Sequence, residues 1–213
     1  MSVVYDSNES PTLAQMSQRA IRLYQETYLD KVQPKMEQIT ALIDRADAEN
    51  FRSTDIPLGD HGRNGLKYFD TKRAQIVAGV LAETLPEAFA GETLDILDVG
   101  CGFGDYMAVL RALGHNVVGT CGGADYYLEH YRFVHDLLGL DIRYEDVLSA
   151  WSFDDASFDY VLSVQMITLP SVILHTHRVI PQMQRSCRTG GRVILVPHCW
   201  YFVMAGTGAA AAA

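Results

Sequence analysis

The chain lacks a basic excess, a long apolar run, paired cysteines and a dinucleotide-type glycine fingerprint, and each absence narrows what it does. Its 213 residues include 26 acidic and 17 basic side chains, a net charge of -9. Proteins held by nucleic-acid phosphates carry a basic patch or stripe. The longest basic group here is Lys72-Arg73, so no nucleic-acid partner is expected. No segment reaches the ~18 consecutive apolar residues that span a bilayer. Met1–Pro11 is polar and acidic rather than a secretory leader. No membrane partner is therefore expected, and a cytoplasmic location is. The four cysteines, Cys101, Cys121, Cys187 and Cys199, show no Cys-x-x-Cys spacing. Reduced thiols and no metal site are the readings that follow. With 48% apolar and 20% charged residues, the composition is that of a folded protein rather than a disordered one.

The residues that are present fall into two patterns. Residues 12–50 read as helix, because Leu13, Met16, Ala20, Leu23, Tyr24 and Tyr28 recur at spacings of three and four. Thr12 is the expected N-cap, and Pro34 is expected to break the run. A loop with Pro57, Gly59, Gly62 and Gly65 follows, then a helix over 71–85. From residue 94 short apolar runs alternate with helical stretches. The runs are 94–99, 116–119, 141–144, 158–164 and 192–196; the helices are 106–113, 124–138 and 171–186. That alternation predicts a mostly parallel, doubly wound sheet of the Rossmann-like α/β class. The expected organisation is a helical lid segment with its loop over 1–70, an α/β domain over 71–205 and a tail over 206–213.

Chemistry concentrates in Asp98-Val99-Gly100-Cys101-Gly102-Phe103-Gly104. A buried strand ends on an acid, and a glycine-rich turn opens a helix. Glycines let backbone approach a ligand closely, and a helix start offers unpaired N–H groups. The Gly-x-Gly-x-x-Gly spacing of dinucleotide folds is not met, because Asp105 stands at its third position. An acid before the first glycine suits a cationic ligand and would repel a pyrophosphate.

These residues resemble the first motif of the class I S-adenosylmethionine-dependent methyltransferases, and the resemblance extends over residues 94–199. Tyr144-Glu145-Asp146-Val147-Leu148 resembles the acid after the third strand, Ser157–Ser163 the fourth strand, and Arg188-Thr189-Gly190-Gly191-Arg192 the glycine turn into the fifth. The resemblance implies S-adenosylmethionine as cofactor. It implies that Asp98, Gly100, Cys101, Gly102 and Gly104 hold the methionine end, that Thr120 and Cys121 lie at the ribose, and that Asp146 and Val147 lie at adenine. It also implies Gln165 at the cleft, with Met166 and His198 toward the substrate. It names no catalytic residue. The implied activity is methyl transfer to oxygen, nitrogen or carbon of a small molecule.

Two features depart from the family pattern. Cys121 stands where an acid usually pairs with the ribose hydroxyls, and a thiol is a weak donor and acceptor. The stretch after the fifth strand, Pro197–Ala213, is short for the usual closing strands, so a C-terminally short sheet with one further strand near 200–204 is expected. An uncovered edge invites association, and a homodimer is the partner expectation that follows. Two other readings stay open: a methyltransferase-like scaffold without catalysis that acts through a protein partner, and a nucleotide-binding oxidoreductase. His175 and His177 are expected on one helix pointing to different faces, and Tyr24 and Tyr28 in the helix core.

Overall fold

A computed structural model describes residues 10–53, 69–122, 125–166, 169–197 and 202–206. Helix α1 (Leu13–Tyr24) starts at Thr12, whose hydroxyl accepts from the Gln15 N–H while the Gln15 side chain accepts from the Thr12 N–H. This reciprocal cap satisfies two donors left open at a helix start. A π-helical turn, Gln25–Leu29, was not legible from the periodicity. It adds a residue to the turn, and Tyr24, Tyr28, Leu29 and Val32 are all fully buried along it. At Pro34 the helix tightens to a 3-10 turn, Gln33–Lys35, before α2 (Met36–Ser53). Helix α3 (Thr71–Thr84) is capped by Asp70, which accepts from the Arg73 N–H.

The remaining elements alternate as expected: β1 (Asp95–Val99), α4 (Asp105–Ala112), β2 (Asn116–Thr120), α5 (Asp125–Leu138), β3 (Asp141–Arg143) and β4 (Phe158–Val164). They continue with α6 (Pro170–Ile173), α7 (Thr176–Ser186), β5 (Cys187–Val196) and β6 (Phe202–Ala205). The sheet order is β3-β2-β1-β4-β5-β6. Strands β1 to β5 pair in parallel, and β6 runs antiparallel to β5. The order reverses between β1 and β4, which is where open α/β sheets bind ligands, beyond the carboxyl ends of their strands.

Alternate strand residues point to opposite faces, and both faces are covered. Ile96, Tyr160, Leu162 and Ile194 pack with the helical layer that includes α1, α3 and α4. Leu97, Val99, Val161, Val193 and Leu195 pack with Trp151, Val179 and Met183 on the other side. This double burial explains why β1 and β4 read as near-continuous apolar runs. Two expectations shift. Strand β5 begins at Cys187 instead of 192, with a register irregularity against β4 between Phe158 and Tyr160. The single helix expected over 171–186 is two, because His175 leaves helical backbone (φ -119, ψ 16). His175 therefore precedes the helix that carries His177, and their rings lie 6.1 Å apart.

Candidate active site

Beyond the carboxyl ends of β1, β2 and β4 lies a cleft of about 510 Å³. Gly100, Gly102, Cys121, Gly122 and Tyr131 line one part of it. Asp146, Val147 and Leu148, after β3, line a second, and Val164, Gln165, Met166, Leu169 and Val172, after β4, a third. A narrow recess of about 30 Å³ shares Gly100, Gly102 and Val164 with the cleft; Arg73, Asp98, Cys101, Asp105 and Tyr106 complete its wall.

Local chain geometry builds the loop between them. The N–H of Gly100 donates to the Thr120 hydroxyl at 3.0 Å, and that of Cys101 to the Thr120 carbonyl at 2.9 Å. These bonds tie the loop to the tip of β2. Gly100 turns at φ +72, and a Cβ there would meet Met166 Cγ at 2.3 Å. Gly102 turns at φ +54, and a Cβ on it would meet nothing within 4 Å, so its backbone borders open space. Phe103 anchors the loop from below. Its ring packs edge-on against Phe69 at 4.7 Å, and Phe69 stacks on Tyr28 at 6.0 Å. Among the described residues, the 1–70 segment meets the α/β domain behind this loop, and none of its residues lines the cleft.

Electrostatics in the recess are unusual. The Asp98 side chain is 2% exposed, and its Oδ2 has no hydrogen-bond partner. Burial, and then the neighbouring Asp105 carboxylate, push its pKa up to about 8 against a smaller opposing pull from Arg73. Asp105 is compensated instead: Arg73 Nε donates to its Oδ2 at 2.6 Å, with both side chains buried. An uncompensated buried carboxyl beside an open recess matches a ligand that brings a positive charge and an N–H donor. The ammonium of a free amino acid end has both.

The other expected site residues are distributed as follows. Cys121, Asp146, Val147, Gln165 and Met166 line the cleft. Asp146 Oδ1 already accepts from the Leu148 N–H at 2.9 Å. Cys101 faces the recess, and its thiol lies within hydrogen-bonding reach of Cys121, which together with burial raises its pKa. Gly104 caps α4 under the Leu140 side chain, and Thr120 is fully buried behind the loop, so both support the site without lining it. His198 lies outside the described residues. Gln165 follows β4 at φ +62, rare for a side chain with a Cβ. Its N–H donates to the Val196 carbonyl at 2.7 Å, which holds that backbone in place. Arg73, Asp105, Tyr106 and Tyr131 are site residues that sequence reasoning missed. Only Asp105 had a local signal, directly after the glycine loop. Among the described residues, no group of three or more His, Cys, Asp or Glu side chains could hold a metal ion.

Comparison with known proteins bears on this arrangement. Residues 97–195 match the family model of a methyltransferase domain. Over that segment, a little under half of the chain, the protein is similar to methyltransferase domains. No curated protein matches the chain in sequence. Among solved structures, it is similar to the PH0226 protein of Pyrococcus horikoshii (20% identity, 65% of this chain and 58% of that one, TM-score 0.46). It is similar also to a methyltransferase of Methanosarcina mazei (23% identity, 53% and 56%, TM-score 0.44). A third is an S-adenosylmethionine-dependent methyltransferase of Mesorhizobium loti (20% identity, 55% and 52%, TM-score 0.42). The chain spans a little over half the length of each. S-adenosylmethionine is the cofactor of the methyltransferase family. The residues present fit its methionine end, through Asp98 Oδ2 and the open face of Gly102. Cys121, expected at the ribose, presents a thiol to the cleft.

Proposed function

We propose that this chain transfers a methyl group from S-adenosylmethionine to a small-molecule acceptor. The observation that carries the reading is the buried Asp98 carboxyl, lacking a partner on Oδ2 at the mouth of a glycine loop, inside a methyltransferase domain. When bound, S-adenosylmethionine supplies an electrophilic methyl on a sulfonium centre. Asp98 ionises as it receives the ammonium and gives up its proton to solvent. Arg73 holds Asp105 in an ion pair, which leaves Asp98 as the acid in need of a counter-charge. Gly100 and Gly102 let backbone approach the methionine end, and Val147 and Leu148 offer apolar surface to adenine.

Gln165 and Met166 form the acceptor side, next to the apolar Leu169 and Val172. With no acid or base assigned there, their contribution is placement of the acceptor atom for in-line attack, a large part of the barrier in such transfers. Oxygen, nitrogen or carbon acceptors all fit this description. We propose further that the protein acts in the cytoplasm, with a homodimer as its assembly. Among the described residues no helix is long and apolar enough to cross a membrane.

One observation favours a second reading, a scaffold that acts through a protein partner: Cys121 at the ribose removes two charge-assisted hydrogen bonds. Calorimetric titration with S-adenosylmethionine and S-adenosylhomocysteine separates the two. Micromolar binding, lost in Asp98→Ala, supports the enzyme and justifies an acceptor screen. No binding up to millimolar ligand sinks it.

A further inference from the structure

The glycine loop has a second anchor that neither the family motif nor the cleft lining includes. His135, on α5, is 1% exposed and lies behind Gly102. Its Nε2 is 2.6 Å from the Gly102 carbonyl oxygen, and its Nδ1 is 2.9 Å from the Tyr144 hydroxyl. A carbonyl only accepts, so Nε2 carries the proton. In the neutral ring Nδ1 is then an acceptor, and the Tyr144 hydroxyl donates to it. Burial holds the ring neutral by lowering its pKa to about 4. Tyr144 is held in turn by the Arg132 guanidinium, 4.6 Å from its ring centroid. Tyr131 stacks on His135 at 6.3 Å and 19° and lines the cleft itself.

We propose that His135 is the positioning residue of the cofactor loop, with Tyr144 fixing its tautomer and ring orientation. Gly102 borders both the cleft and the recess. A glycine with open space around it has many backbone conformations available. Pinning its carbonyl fixes the peptide plane to Phe103, because that plane is rigid. The loop is then ordered before any ligand arrives, and less entropy is lost on binding. The chain beyond β2 thus contributes a rigid backstop at the side of the site where Cys121 provides no carboxylate. This inference rests on the methyltransferase reading.

The test is S-adenosylhomocysteine affinity by calorimetry in four proteins: wild type, His135→Phe, His135→Gln and Tyr144→Phe. Phenylalanine keeps the ring and removes the donor. Glutamine restores an N–H near the same reach. Losing a buried hydrogen bond changes an equilibrium by about two- to twelvefold. His135→Phe is expected to weaken binding about tenfold, Tyr144→Phe about threefold, and His135→Gln to recover to within about threefold of wild type. A purely structural histidine would show no recovery in the glutamine variant. Tyr144 is partly exposed, so its variant reports even where His135→Phe folds poorly. Wild-type affinity in both Phe variants overturns the positioning role and leaves the methyltransferase reading standing. Absence of binding in the wild type overturns both. Independently of any cofactor, ¹⁵N spectra of the free protein should show the Nε2–H tautomer, and an Nδ1–H signal would refute the assignment.

Discussion

The two ends of strand β1 carry the same residue type and treat it in opposite ways. At the amino end, Asp95 accepts from Arg188 Nη2 at 2.8 Å and from Asn116 at 2.9 Å. Arg188 also reaches Asp159 at 2.7 Å, and Asp159 accepts from the Asp95 N–H at 2.8 Å. The bonds from Asn116 and Arg188 hold the Asp95 carboxyl below its usual range. At the carboxyl end, Asp98 is deeper, its Oδ2 has no partner, and its pKa is pushed up to about 8. The backbone does not make this distinction, since positive φ occurs at Gly100 and Gln165 around the carboxyl end and at Gly114, Ala156 and Gly190 around the amino end. One end of the sheet satisfies its charges within the fold. The other keeps a polar group unsatisfied, a cost in stability that a cationic ligand can offset.

The largest break in this contrast should come from Asp98→Asn. It should weaken S-adenosylhomocysteine binding by at least about 100-fold, since an unmatched buried charge costs several kcal/mol. Without ligand it should stabilise the protein by roughly 1–3 kcal/mol at pH 7, read by urea denaturation. The sign follows from the raised pKa. Between the ordinary carboxyl value and about 8, the unfolded chain is ionised while the folded one stays neutral, so wild-type stability falls as pH rises through that window. A variant that binds like wild type would remove the distinction between the two ends.

The next effect is on proton linkage. Cofactor affinity should rise toward pH 8, by up to about tenfold per pH unit, as Asp98 loses its proton more readily. Titrations in buffers of different ionisation heat should detect a proton released at pH 6 and little release near pH 9. Gly100→Ala should follow, costing about 1–3 kcal/mol by thermal melting, because its Cβ would collide with Met166 at a positive φ. Cys121→Asp should tighten cofactor binding about three- to tenfold. No gain would remove that position from the ribose.

The smallest effect belongs to the satisfied end. Arg188→Gln should lower stability by about 1 kcal/mol or less, because the side chain is 42% exposed. It should leave cofactor affinity unchanged. A drop in affinity would mean that the two ends of the sheet are coupled.

Much of the cleft was readable because its signals are local. Asp98 and the glycine loop are contiguous, and the limits of β4 and α5 followed from apolar spacing. The Arg73–Asp105 pair was not readable, since its partners lie 32 residues apart and meet only when α3 packs beside the start of α4. His135 and Tyr144 read as ordinary helix and strand-end residues until α5 brings the imidazole against Gly102. The left-handed backbone of Gln165 had no signal, because the apolar pattern that marks β4 does not report a backbone angle held by the Val196 carbonyl.

The order of strands and helices, the glycine turn and the acid before it were determined by the sequence alone, because periodicity and backbone freedom act over a few neighbouring residues. Tertiary structure alone decided the state of those groups. Burial and the proximity of Asp105 raise the pKa of Asp98, packing of α5 against the loop selects the tautomer of His135, and the meeting of β1, β2 and β4 shapes the cleft. These are long-range effects of desolvation and contact, and no short stretch of chain contains them.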